Sequence, residues 1–187
     1  MILLLFSGGL DSMLLAERAL RDGKELAVVF FRYAHPASPQ ESEAVSKWLQ
    51  RKHKAGLSIR SIEMSLPLWG TDTMNLGVGT LGPRVLAARN QVMIAFGVNI
   101  ASSIGAESVW YGANLGDNAD YPDCRPDWIE LQDTLASDWG VRVEAPLINM
   151  TKQDIRDEAA SIELEGWWSC YEPRDGAPCG ECNSCLA

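Results

Sequence analysis

Ile2, Leu3, Leu4, Leu5 and Phe6 run without a polar break into Ser7-Gly8-Gly9-Leu10-Asp11-Ser12, and a helical pattern of apolar residues starts near Ser12. So short an apolar run, with no polar alternation, is the mark of a strand buried on both faces, as in a parallel sheet. The two glycines permit a tight turn, and without side chains they let main-chain N–H groups come close to a ligand. Ser7 and Ser12 add hydroxyl donors, and the next helix turns the positive end of its dipole to the same place. A strand, loop and helix joined in this way can bind an anion. The loop matches neither Gly-x-x-x-x-Gly-Lys-Ser/Thr nor Gly-x-Gly-x-x-Gly, so it is neither of those common phosphate-binding turns.

The rest of the chain keeps alternating between the two periods. Strands are expected at 2–6, Leu26 to Phe31, Leu57 to Met64, Ser108 to Tyr111 and Val141 to Glu144. Helices are expected over 12–22, with Met13, Leu14, Ala16, Ala19 and Leu20 facing inward, and from Ser38, with Val45, Trp48 and Leu49 inward. A long helix follows from about Arg84 to Ile104, carrying Leu86, Val92, Met93, Phe96 and Ile100, then another over 126–138 and a last one from Thr151. Ser38-Pro39-Gln40-Glu41 reads as a capping box with Pro39 at the first helical position, and Thr151-Lys152-Gln153-Asp154 as a weaker box. Residues 66–83 contain Pro67, Gly70, Gly77, Gly79, Gly82 and Pro83 and have neither period, which marks a functional or mobile loop. The fold expected is α/β, an open parallel five-stranded sheet with helices on both faces and ligands beyond the carboxyl ends of the strands. A length of 187 residues suits one such domain, taken as 1–165, with a small segment at 166–187 packed on it.

That segment is set apart by its cysteines. Cys170, Cys179, Cys182 and Cys185 have the spacing Cys-x8-Cys-x2-Cys-x2-Cys, and Gly180 helps the backbone turn so that several sulfurs reach one centre. Four thiolates suit tetrahedral Zn2+ with no position left for water, hence a structural site; an iron–sulfur cluster is the rival. Cys124 stands alone, and its sequence context leaves open whether it is buried, reactive or neither.

The formal net charge of −9 argues against a partner held mainly through nucleic-acid phosphates. No apolar run reaches membrane-spanning length, and Met1-Ile2 leads straight into the first strand with no basic leader, so a cytoplasmic protein without membrane or nucleic-acid partners is expected.

Ser-Gly-Gly-x-Asp-Ser after an N-terminal strand resembles the pyrophosphate loop of the ATP pyrophosphatases, the PP-loop or adenine nucleotide α-hydrolase-like proteins. They split ATP between the α and β phosphates and transfer AMP to an oxygen. Asp11 is odd beside phosphates unless it helps position Mg2+, a hard cation that prefers oxygen ligands. Within that superfamily, Tyr121-Pro122-Asp123-Cys124-Arg125-Pro126 is similar to a hallmark of the 7-cyano-7-deazaguanine synthase family. Gly112-Ala113-Asn114, Asp117, Ala145-Pro146-Leu147, Thr151-Lys152 and Trp168-Ser169-Cys170-Tyr171 follow the family in the same order, and Arg89-Asn90 matches the end of its Val-Pro-Gly-Arg-Asn segment.

The resemblance implies ATP-dependent conversion of 7-carboxy-7-deazaguanine and ammonia to the 7-nitrile through adenylated intermediates, by a homodimer that uses ATP with Mg2+ and a structural zinc. It assigns ATP to Phe6, Ser7, Gly8, Gly9, Leu10, Asp11, Ser12, Phe31, Tyr33 and Arg89, and catalysis to Asp11, Arg89 and Lys152. Arg89 and Lys152 suit phosphate charge, Arg clamping two oxygens at once. The aromatics of residues 30–33 fit an adenine neighbourhood or plain core equally well. Asn114, Asp117, Tyr121, Asp123 and Arg125 fall to the deazaguanine. Asp117 or Asp123 can accept from the base, Arg125 can meet the substrate carboxylate or one of those aspartates, and Tyr121 can stack or pack.

Three departures touch the expected walls of the site. Arg32-Tyr33-Ala34-His35 replaces Asp-Tyr-Gly-Gln, Leu86-Ala87-Ala88 replaces Val-Pro-Gly, and Asp120 replaces a small glycine. They leave room for a relative that stops at the amide or activates another acid. A PP-loop enzyme acting on tRNA and a catalytically silent binding protein are the remaining alternatives.

Overall fold

Strands β1 (Ile2–Leu5), β2 (Leu26–Arg32), β3 (Arg60–Ser65), β4 (Ser108–Trp110) and β5 (Arg142–Glu144) form one sheet in the order β3-β2-β1-β4-β5. All four neighbouring pairs are parallel. This is a computed structural model, and it describes residues 1–68, 86–119 and 121–186. Helices α1 (Leu10–Arg21), α2 (Ser38–Lys54), α3 (Arg89–Ile104), α4 (Pro126–Ser137), α5 (Lys152–Ser161) and α6 (Asn183–Leu186) complete the chain.

The central strands lack alternation because both their faces are covered. Ile2 and Leu4 of β1, with Leu26, Val28 and Phe30 of β2, share a core with Leu14 of α1, Trp48 of α2 and Ile155 of α5. Leu3, Ala27, Val29 and Phe31 point the other way, toward Ala101 of α3. A third cluster joins Ala136 of α4 to Val143 of β5 and Tyr111. The edge strand β3 does alternate, with Ile62 and Met64 half-buried between exposed neighbours.

Several boundaries move for identifiable reasons. Helix α1 begins at Leu10 rather than Ser12, because Met13 N already bonds to Gly9 O at 2.9 Å. Ser38 does not cap α2; it is already helical, Ala37 precedes it, and no side chain caps the turn. Glu41 turns instead toward His35, its Oε2 3.1 Å from Nε2, though the two are too misaligned for a hydrogen bond. Helix α3 starts at Arg89 because Ala88 adopts φ 56°, so Leu86 lies ahead of the helix. Leu57 is 40% exposed beyond α2, and β3 begins only at Arg60. The weaker signal at Thr151 is a complete capping box, Thr151 and Asp154 each satisfying the other's main-chain N–H. Of the expected loop at 66–83, residues 69–83 lie outside the described residues.

Candidate active site

In this strand order β1 lies between β2 and β4, where successive connections leave the sheet in opposite directions. The crevice beyond the carboxyl end of β1 is the switch point at which open α/β sheets bind ligands. The loop at Ser7 to Ser12 stands there.

The loop is held from both ends and from beneath. Phe6 is buried and tilts against Trp48 at 4.7 Å, and Leu10 is buried in the same core. Only their main chain can therefore face a ligand. Gly8 has φ +78°, and a Cβ there would stand 3.0 Å from Glu41 O of α2. Only glycine suits such a position. Ser7 Oγ accepts from Gly9 N at 3.2 Å, and Ser12 Oγ donates to Gly9 O at 3.0 Å. Helix α1 carries no side-chain cap, so its first N–H groups are left for a ligand. Trp168 N donates to Gly8 O at 2.9 Å, which ties the residues just before Cys170 to this loop. No pattern in the sequence announces that main-chain contact.

Asp11, on the first turn of α1, meets three residues brought from elsewhere. Lys152 Nζ is 3.0 Å from Asp11 Oδ2 and 3.0 Å from Asp117 Oδ2. Asn114 Nδ2 donates to the same oxygens, at 3.2 Å and 2.8 Å. Burial pushes the Asp11 carboxyl above the ordinary range, against the pull of Lys152. Burial also works against the Lys152 ammonium, but Asp11 and Asp117 outweigh it and hold its pKa above the ordinary value. Both values move up, Asp11 because burial disfavours its charge and Lys152 because two carboxylates favour its own, so Lys152 stays charged.

A second group lies at the end of β2. Arg89 Nη1 donates to Tyr33 Oη at 3.1 Å, and the Tyr33 ring stacks on His35 at 4.3 Å. Burial pushes the Tyr33 phenol up, so it stays protonated. A cleft of about 410 Å³ is lined by Arg32, Tyr33, His35 and Ser65, and one of about 380 Å³ by Leu66, Leu86, Arg89 and Phe96. Phe31 is core, facing Phe96 at 6.3 Å.

The expected substrate residues divide. Asn114 and Asp117 join Asp11, whereas Tyr121 and Asp123 lie on the α4 side, where Tyr111 Oη donates to Asp123 O at 3.1 Å. Arg125 is exposed and donates to Asn118 O at 3.4 Å; it makes no ion pair with Asp117 or Asp123 among the described residues. Cys124 is buried, and desolvation pushes its thiol up to about 12, which keeps it neutral and poorly nucleophilic.

Cys170, Cys179, Cys182 and Cys185 converge, all four sulfurs lying within 4.8 Å of one another. Sγ separations of 3.5 Å and 3.9 Å are far beyond a disulfide bond. Main-chain N–H groups of Glu181 and Cys182 point at Cys179 Sγ and lower its pKa to about 6. Burial pushes the Cys170 and Cys185 thiols up, so a cation is what would hold all four sulfurs together as thiolates, and their convergence forms a site able to bind a metal.

Fold and loop together define a parallel α/β protein of the PP-loop class. The family described as queuosine biosynthesis protein QueC matches residues 1–187, and the chain belongs to that family. It is 32% identical to 7-cyano-7-deazaguanine synthase 1 of Colwellia psychrerythraea, over 98% of this chain and 89% of the relative. It is 35% identical to the 7-cyano-7-deazaguanine synthase of Erythrobacter litoralis, over 97% and 83%. Among solved structures, U34-tRNA thiolase NcsA from Methanococcus maripaludis, with its [4Fe-4S] cluster, superposes with a TM-score of 0.61 at 12% identity over 96% of this chain. The chain spans 61% of that thiolase, and the likeness concerns the fold alone. No helix among the described residues is long and apolar enough to cross a membrane.

Proposed function

We propose that this protein converts 7-carboxy-7-deazaguanine, ammonia and ATP to 7-cyano-7-deazaguanine, releasing AMP and pyrophosphate. The observation that carries the reading is the meeting of Asp11, from the Ser-Gly-Gly-x-Asp-Ser loop, with Asn114 and Asp117, from the segment leading to Tyr121-Pro122-Asp123-Cys124-Arg125. The nucleotide loop and the segment that leads into the acceptor motif are thereby within one side chain of each other, as adenylation requires.

The substrate carboxylate attacks the α-phosphorus, and the bond to pyrophosphate breaks. Ammonia then displaces AMP to give the amide. In a second round the amide oxygen takes AMP, and loss of that AMP with the remaining amide proton leaves the nitrile. Main-chain N–H groups of the loop and α1 meet the charge that develops on pyrophosphate. Lys152 and Arg89 supply positive charge to the phosphates, and Asp11 is an oxygen ligand suited to Mg2+. Tyr121, Asp123 and Arg125 are assigned to the deazaguanine. The four cysteines hold a structural zinc, which takes no part in the reaction, and the working form is a cytoplasmic homodimer.

Mass spectrometry of the product from 7-carboxy-7-deazaguanine, ATP and ammonia tests this directly. The nitrile is expected, with two AMP formed per product. Amide as the end product, or AMP release stimulated only by tRNA, overturns the reading.

A further inference from the structure

Two carboxylates this close, their side chains only 23% and 28% exposed, repel one another, and partial burial thins the water that would screen them. Something positive must stand between them. Here it is the protein's own Lys152, whose Nζ is 3.0 Å from Oδ2 of both Asp11 and Asp117. A hard divalent cation meets the same need, provided that enough oxygens face it.

Asn114 supplies the independent observation. The residue is fully buried; its Nδ2 faces the two carboxylates, while its Oδ1 has no hydrogen-bond partner among the described residues. Most buried side-chain oxygens find a donor, so an orphaned one asks for an explanation. A half-turn about the terminal torsion exchanges nitrogen and oxygen and presents Oδ1 to the point that Nδ2 now faces. Asn114 thus suits either state of the site. It is a donor to carboxylates while an ammonium balances them, and an oxygen ligand once a metal does. Gly116 leaves space for this change, since a Cβ there would stand 3.2 Å from Asn114 Oδ1 and 3.1 Å from Lys152 Cγ.

We propose that Asp11, Asp117 and Asn114 form an oxygen site for a divalent cation, which Lys152 fills in the nucleotide-free protein and leaves when metal arrives with the triphosphate. The proposal rests on reading the Ser7 to Ser12 loop as a nucleotide site, and it turns Asp117 from a reader of the base into a metal ligand. A bare cation must displace the ammonium with nothing to receive it. A metal–triphosphate complex offers Lys152 new anionic oxygens, and its flexible four-carbon stem can follow them. Occupancy by metal and reorientation of Lys152 toward phosphate are then one event.

Mn2+ is the probe, titrated without nucleotide into protein whose four-cysteine site has been loaded with zinc beforehand. Free Mn2+ is read by electron paramagnetic resonance and stability by calorimetry. Wild type is expected to bind weakly. Lys152→Met should bind at least tenfold more tightly and gain Tm with added Mn2+, and Lys152→Gln should behave alike. If removing the ammonium destabilises the fold, recovery of Tm by Mn2+ is itself the signal. Adding Asp117→Asn to Lys152→Met should abolish the gain. Equal Mn2+ affinity in wild type and Lys152→Met, or tight binding retained by the double variant, overturns the proposal. None of these measurements needs turnover, so failure to form the nitrile would strike the proposed reaction and leave this result standing.

Discussion

Asp11 and Lys152 stand 141 residues apart in the chain, and their side chains meet at 3.0 Å. Each lies on the first turn of its helix, Asp11 on α1 and Lys152 on α5. About two turns further along, the same helices meet again, where Arg18 Nε donates to Glu158 Oε1 at 2.7 Å. Helices α1 and α5 are therefore clasped at two levels, and the lower clasp fixes the register of the upper one.

Replacing Asp11 separates chemistry from fold. Lys152 keeps Asp117 as a partner, so Asp11→Asn orphans no buried charge. Burial already disfavours the Asp11 carboxylate, so its loss should change stability by no more than about 1 kcal/mol. Pyrophosphate release with 7-carboxy-7-deazaguanine should nevertheless fall at least about 100-fold, the effect of removing one preorganised charge at a reacting phosphate. Near-normal release from Asp11→Asn would remove this residue from the nucleotide site.

The lower clasp should show as a pH dependence of stability. Hydrogen bonding to Arg18 holds the Glu158 carboxyl below its ordinary value of 4.5. A carboxyl lowered in the folded state stabilises the fold above its unfolded value, and that contribution is lost as pH falls through the folded value. The two side chains are 20% and 22% exposed, so the pair is only partly screened. Glu158→Gln should cost about 1–3 kcal/mol at pH 7. The gap in urea midpoint between wild type and variant should close as pH is lowered from about 5. A gap that persists at pH 3 would assign the effect to packing.

Much of this arrangement can be read from local residue order, and the remainder fails for definite reasons. The apolar runs at Ile2–Leu5 and 26–31 betray strands covered on both faces, because burial on both sides removes alternation. Thr151 and Asp154 betray the start of α5 because a capping box is a local exchange of hydrogen bonds. Ser38 has the same local letters, yet Ala37 precedes a helix already begun and Glu41 is drawn toward His35. The left-handed turn at Ala88 could not be foreseen, since alanine seldom adopts φ 56°. Within the site, sequence supplies the residues but not their grouping. Asn114 and Asp117 lie with Asp11 because β4 pairs with β1, and Lys152 joins them because α5 packs on α1.

Gly8→Ala tests whether the loop needs its fit against α2. The φ of +78° is unfavourable for alanine, and the new Cβ would meet Glu41 O at 3.0 Å, Val45 Cγ2 at 3.1 Å and Ala44 Cβ at 3.2 Å. Main-chain carbonyl and helix cannot yield as a flexible side chain would. A loss of about 2 kcal/mol or more is expected, which for a chain of this size lowers Tm by roughly 4–8 °C. ATP binding by calorimetric titration should weaken in parallel, because the displaced backbone carries the N–H groups that face the phosphates. An unchanged Tm with normal ATP affinity would mean that the loop does not sit against α2.

Cys182→Ser tests the metal site and separates the two metals that four sulfurs can hold. Cys182 is only 2% exposed, and its Sγ lies 3.5 Å from that of Cys185. Without a cation, thiolates gathered so closely repel, so metal binding and order in the segment should be lost together. The loss should reach the nucleotide loop, because Trp168 N holds Gly8 O at 2.9 Å and Trp168 Nε1 donates to Cys170 O at 2.8 Å. Wild type should be colourless with one zinc per chain by elemental analysis. Cys182→Ser should contain little metal, melt about 5–10 °C lower and bind ATP more weakly. A brown wild type with iron and sulfide would assign an iron–sulfur cluster instead. A Cys182→Ser variant that lost its metal but kept Tm and ATP affinity would show that the thiolate site supports neither fold nor loop.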